Sequence, residues 1–193
     1  MTLYSLALFI HVTADIGIFV ALGVQLFCLA ALRRSNSAEQ ARGYVQLIHL
    51  SDPLSITSAL LTIAAGLYMA LTVWDWRTGW ILVALGSVIF LLPPLIGGVI
   101  EPRMRTIAAQ MKAAPLGPLP PPLRARLHDP ILGTALQTAG AIVLGIVFLM
   151  TTKPSVLGSI IAMAVFVALG LASGWPLWRA AHASQQGPGS RPG

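Results

Sequence analysis

Charge is scarce in this chain: Asp, Glu, Lys and Arg together make up 9% of its 193 residues. Soluble domains carry roughly a quarter, so this composition leaves too little polar surface to coat a protein in water. Cysteine is scarcer still. The single Cys28 excludes an intrachain disulfide and a cysteine-based metal cluster within one chain. Its place inside an apolar run reads as a small packing residue. The first ten residues, MTLYSLALFI, contain no Lys or Arg. The positive n-region of a cleavable secretory signal is therefore missing, and the first apolar segment is expected to stay in the mature protein. Absent too are a Walker loop, a dinucleotide fingerprint, an HExxH zinc motif and a nucleophile elbow. Their absence removes the reactions that local sequence can name and tilts the reading toward a protein that is not an enzyme.

What the chain has in excess is apolar surface, with 56% hydrophobic residues and a mean hydropathy of +0.80. Five long apolar runs are expected to form helices over about 3–32, 52–73, 79–100, 130–151 and 155–178. Each is long enough for the roughly 20 residues that cross a hydrocarbon core. The predicted fold is all-α and polytopic: a bundle of five transmembrane helices forming a single domain over residues 1–180, with a tail over 181–193 expected to be disordered.

The charges give this bundle a direction. The stretch RRSNSAEQAR reads as a polar first loop, with Arg33, Arg34 and Arg42 against Glu39. Asp75 and Arg77 cancel in the short second turn, and Lys153 stands alone in the fourth. The third loop, residues 101–129, holds Arg103, Arg105, Lys112, Arg124 and Arg126, and the tail adds Arg179 and Arg191. An excess of Lys and Arg marks cytoplasmic loops. The N-terminus is then outside and the C-terminus cytoplasmic, in the cell inner (plasma) membrane. Trp74, Trp76 and Trp80 would lie at the outer interface and Trp175 and Trp178 at the inner one. The net charge of +6 reads as orientation and contact with anionic lipid; it does not imply nucleic acid. Within the third loop, EPRMRTIAAQMKA is partly amphipathic and predicts a helix. The following APLGPLPPPLR predicts a semi-rigid extended connector.

The second and fourth spans open alike, on Asp52-Pro53 and Asp129-Pro130, with His49 and His128 close by. Asp before Pro suits a helix start, so Asp52 and Asp129 are read as interfacial caps. Residues 49–101 and 127–179 fit two copies of one helical hairpin, and they equally fit a shared way of starting helices.

Within the spans one polar pair stands out. His11 and Asp15 are four residues apart, hence on one face of the first helix. Ala14, Gly17, Ala21, Gln25 and Cys28 share that broad side, while Val12, Ile16, Phe19, Val20, Leu26 and Phe27 occupy the other. An ionisable group inside a span costs a few kcal/mol unless it is partnered. The pair therefore reads as a proton relay, a cation site or a ligand for haem or a metal ion. The alternative is a neutral histidine bonded to a neighbouring helix. His49 and His128 lie at another depth and cannot share one metal ion with His11; His182, in the tail, has no expected role. On the second span Ser55, Ser58, Thr62 and Gly66 form a small polar seam of the kind that lets helices approach closely. Pro93-Pro94, with Gly97-Gly98 after it, predicts a kink in the third span.

A histidine early in the first span, an Asp-Pro-led second span ending in AAGLYMAL, and a Trp-rich turn resemble domain of unknown function 2269, a family of predicted bacterial integral membrane proteins. PRMRTIAAQM after the third span and FLMTTKP before the fifth are similar to the same family. The resemblance implies the fold. More distantly the chain is similar to copper-resistance D-type proteins and HemJ-type protoporphyrinogen oxidases. That similarity implies His11 as a ligand position for haem b or a metal ion. Three functions are then in view: a non-enzymatic component of a membrane assembly, alone, as a homo-oligomer or with other membrane subunits; a haem- or metal-binding redox protein using His11; and a proton- or ion-linked transporter using His11 and Asp15. All three share the lipid bilayer as partner.

Overall fold

A computed structural model describes residues 2–75 and 77–185, with the side chains of 182–185 excepted. Among the described residues the chain is helical and forms no strand. Five helices are long and apolar enough to cross a membrane: α1 (Leu3–Arg34), α2 (Ala38–Thr72), α3 (Gly79–Ala113), α5 (Pro130–Thr152) and α6 (Val156–Ser173). The short α4 (Pro121–Leu127) precedes α5, and α7 (Trp175–Gln185) follows α6 after the bend at Gly174. α7 carries helix five residues into the stretch expected to be disordered; residues 186–193 and Trp76 lie outside the described residues.

α1 lies along α2, α6 lies along α5, and α5 also meets α1, α3 and α7. The central helix is α5: 56% of the most apolar window of its span, taken with α4, is buried, against 17–22% in each of the other four. The remainder of the apolar surface faces outward. On α1, Val12, Ile16, Val20 and Phe27 are exposed while Ala14, Ala21 and Cys28 on the opposite side are buried. Such a split is untenable in water and natural in lipid, where bulky chains meet acyl tails and small ones let helices approach.

The first loop is much shorter than its polarity suggests. Only Ser35–Ser37 separate α1 from α2, because Ser37 caps the new helix, accepting from the Gln40 N–H at 3.3 Å, and Glu39 follows in the first turn. Asp52 is consequently not a helix cap. It lies mid-helix beside Pro53 and pairs with His49 at 3.2 Å on the surface. Asp129 differs, since it precedes α5 and accepts from the Ile131 N–H at 2.9 Å, with Pro130 in the first turn. The two Asp-Pro steps thus do different work, and they no longer argue for a duplicated hairpin.

At 35 residues each, α2 and α3 are about 50 Å long, well beyond a hydrocarbon core of about 30 Å. Their extra length projects at the arginine-rich end, where it packs with α4 and the end of α1. Leu32, Ile107, Met111, Leu123, Leu127 and Leu132, each at most 2% exposed, form a core there. Arg42 donates to the Met111 carbonyl at 3.2 Å and to that of Ala114, satisfying the C-terminal end of α3. Arg33 donates to the carbonyls of Leu127 (2.9 Å) and Asp129 (3.0 Å), closing the break between α4 and α5.

The Pro-rich connector is docked against this end of the bundle and is not a free spacer. The Ala38 N–H donates to the Gly117 carbonyl at 2.8 Å, the Gly117 N–H to the Glu39 carboxylate at 2.9 Å, and the Leu119 N–H to the Asn36 carbonyl at 3.4 Å. Pro121 then opens α4. Gly117 has φ +111°, a region that a side chain resists. Gly117→Val is expected to destabilise the protein by about 1–2 kcal/mol. It should also expose residues 114–120 to limited proteolysis, and an unchanged cleavage pattern would refute the docking.

In α3, the prolines at 93 and 94 do not break the helix. They sit between two π-helical stretches, Ser87–Leu91 and Ile96–Ile100, which absorb the missing donors and the ring clash. At the far end of the bundle Lys153 closes α5 in the left-handed region (φ 50°), and its ammonium lies 4.3 Å from the Trp74 ring centroid. Trp74 in turn meets Trp80 edge to face.

Candidate cation site between the first, second and fifth helices

Toward the end away from the arginine-rich one, α1, α2 and α5 converge on His11, which is 6% exposed. Its ring Nδ1 lies 2.8 Å from the Thr62 carbonyl oxygen of α2. A carbonyl only accepts, so Nδ1 carries the hydrogen and donates. That assigns the lone pair of a neutral imidazole to Nε2. Nε2 faces the Met150 thioether sulfur of α5 at 3.4 Å and the Asp15 Oδ2 at 3.8 Å. The other carboxylate oxygen, Oδ1, accepts from the Thr62 hydroxyl at 3.0 Å. Thr62 therefore holds both members of the His11–Asp15 pair, one through its backbone and one through its side chain.

The seam on α2 makes this approach possible. At Gly66 a Cβ would stand 2.9 Å from His11 Cε1 and 3.3 Å from Nδ1, so only hydrogen leaves room for the ring. About two turns toward the arginine-rich end, Gly17 of α1 lies against the Ser58 side chain in the same way. Small residues on both helices bring the backbones together, and that closeness lets the His11 ring reach a main-chain carbonyl.

The electrostatic character of the cluster follows from its inventory. The imidazole Nε2 has a thioether sulfur on one side at 3.4 Å and a carboxyl oxygen on another at 3.8 Å. With Nδ1 as donor to Thr62, a neutral His11 offers no hydrogen on this side.

The other titratable residues singled out above lie elsewhere. His49 and Asp52 pair with each other on the surface, and His128 Nδ1 lies 2.9 Å from the Arg124 carbonyl, also at the arginine-rich end. Asp129 is bound by Arg103 at 3.4 Å. Among the described residues no group of three or more His, Cys, Asp and Glu side chains converges as a metal site. The Met150 thioether is the member that sequence reasoning missed: a lone methionine in an apolar helix, 139 positions from His11, gives no local signal. A separate groove of about 520 Å³ opens between α3 and α6 beside Phe90 and Met163; its lining is apolar apart from Ser87, whose hydroxyl donates to the Val83 carbonyl.

Neither a curated protein nor a solved structure matches this chain. Residues 5–154 match a family described as predicted integral membrane protein (DUF2269), a stretch that contains α2 to α5 whole, nearly all of α1, and every residue of the His11 cluster. Five apolar helices, lipid-facing bulk and that match agree: the chain is an integral membrane protein of the DUF2269 family.

Proposed function

We propose that this protein is a non-enzymatic, ion-binding component of the bacterial inner membrane, holding one cation at His11 and Asp15. The observation that carries the reading is the fixed direction of the imidazole. Thr62 takes the Nδ1 hydrogen, and the Nε2 lone pair then faces a carboxylate and a thioether that can only accept. Carboxylates inside a span are costly without a partner, and the partner this geometry calls for is a cation. In this reading the arginine-rich end is cytoplasmic and the N-terminus outside, in line with the charge bias. Lipid covers the exposed apolar faces, and a second copy or another membrane subunit would pack on those same faces.

The packing suits a single ion better than a haem. Two axial ligands on one iron stand roughly 4.3 Å apart, from metal–ligand bonds of about 2.0 and 2.3 Å, with a macrocycle between them. Here Nε2 and the sulfur are 3.4 Å apart, and Gly66 closes the space beside the ring.

The test is thermal unfolding of the detergent-solubilised protein against Na⁺, K⁺, Mg²⁺, Zn²⁺ and Ag⁺. A cation at a hundred times its dissociation constant adds about 2.7 kcal/mol of stability. At least one of the five should raise the midpoint, and His11→Gln and Asp15→Asn should each remove the response. A wild-type midpoint indifferent to all five, or a response that survives both substitutions, rules the reading out.

A further inference from the structure

We infer that the arginine-rich end holds one anionic phospholipid by its phosphate, in a cleft lined by Arg103 of α3, Arg126 of α4 and Asp129 at the start of α5. The inference is independent of the cation site at His11.

Depth comes first. The apolar run of α3 ends at Ile100 and that of α5 starts at Pro130. Arg103 and Asp129 therefore lie within about one turn of the hydrocarbon boundary, level with the phosphates of the lipid. Size comes next. The cleft measures about 30 Å³, room for roughly two water-sized groups. It opens at the surface, since Arg126 is exposed and Arg103 half-buried. A phosphodiester can place its two non-bridging oxygens there and leave its glycerol and acyl chains outside, against the lipid-facing side of the bundle.

Charge then names the occupant. Asp129 accepts from the Ile131 N–H through Oδ1 and from Arg103 through Oδ2, and Arg33 donates to its backbone carbonyl. The carboxylate is thus answered before Arg126 is counted, and among the described residues no carboxylate pairs with Arg126. Around Asp129, the guanidinium groups of Arg33, Arg103 and Arg126 leave a positive excess that a phosphodiester reduces. The fold aims Arg126 at this place. Leu123 and Leu127, 2% and 1% exposed, fix α4, and positions 124 and 126 project about 200° apart. Arg124 takes the connector side, donating to the Asn36 side-chain oxygen at 3.2 Å, and Arg126 takes the cleft. A guanidinium presents a planar fork of donors that matches phosphate oxygens, and basic pockets between helices at the membrane boundary are where anionic headgroups bind.

The experiment is native mass spectrometry of the full chain released from detergent micelles that contain equal amounts of dioleoyl-phosphatidylglycerol and dioleoyl-phosphatidylcholine. One phosphatidylglycerol should be retained in preference to phosphatidylcholine. Arg126→Gln should weaken that retention about five-fold, the effect of one cationic side chain at an anionic surface, and Arg126→Lys should recover part of it. Because Arg126 is exposed, both variants should keep the parent's thermal midpoint without lipid. Lys112→Gln removes the same charge from an exposed position about 13 Å further along α3 and should leave retention unchanged. Equal retention of the two lipids by the parent overturns the inference. Equal loss in Arg126→Gln and Lys112→Gln overturns it too, since the attraction is then diffuse. Displacement of the lipid by millimolar inorganic phosphate would assign the cleft to free phosphate and overturn the lipid as occupant.

Discussion

Gly66→Leu is expected to abolish cation binding at His11 and to destabilise the α1–α2 pair by about 1–3 kcal/mol, the range for overpacking a close interface. The ring has nowhere to retreat: Nδ1 is tied to the Thr62 carbonyl, Nε2 abuts the Met150 sulfur, and a Cβ at residue 66 would press on Cε1 at 2.9 Å. Relief requires either that α1 and α2 separate or that the imidazole turns out of the cluster, and both disperse its members. Gly23 on α1 provides the control, since a Cβ there meets nothing within 4 Å. Gly23→Leu should keep the parent's thermal midpoint and its response to added cation. Gly66→Leu with the parent's midpoint and cation response would mean that His11 is not held as described.

The second large effect is at Arg33. Arg33→Ala should cost about 2–3 kcal/mol, because two carbonyls at the α4–α5 break lose a charged donor in a half-buried site. Arg33→Lys should recover less than half, since one ammonium cannot reproduce the guanidinium's two separate N–H directions toward Leu127 and Asp129. Arg34→Ala is the comparison: its side chain is exposed, and its loss should be within about 0.5 kcal/mol. The thermal midpoints of the three variants decide the matter. If Arg33 served only as a topological charge, Lys would replace it without loss.

That pair of adjacent arginines shows where reading a sequence stops. Hydropathy and charge bias are sums over a segment, so they located five membrane-crossing helices and one basic end. They treat Arg33 and Arg34 alike, because the difference is made by carbonyls almost a hundred residues away. The same blindness affects RRSNSAEQAR. A polar stretch was expected to be a loop, yet once Ser37 caps it, helix propensity and packing against α3 and α4 keep it helical beyond the membrane. The face bearing His11 and Asp15 was legible because both lie on one helix, four positions apart. Thr62 and Gly66 were visible only as a small-residue seam, and Met150 was not visible at all. A contact drawn from a third helix leaves no periodicity, and methionine in an apolar run is ordinary packing until a neighbour's ring nitrogen is found facing it.

The two π-helical stretches of α3 carry a consequence for mapping that helix experimentally. Each π turn is equivalent to one residue inserted into an α-helix, and one residue is about 100° of rotation. Between Val83 and Arg103 the helix crosses both stretches, Ser87–Leu91 and Ile96–Ile100. A helical wheel drawn through the whole of α3 is therefore out of phase by about 200° at its end. Cysteine-accessibility or spin-label scans along this helix should show periodicity in three separate blocks, with an abrupt phase slip at each stretch. Fitting them to one continuous 3.6-residue wave would assign lipid-facing positions to the protein interior.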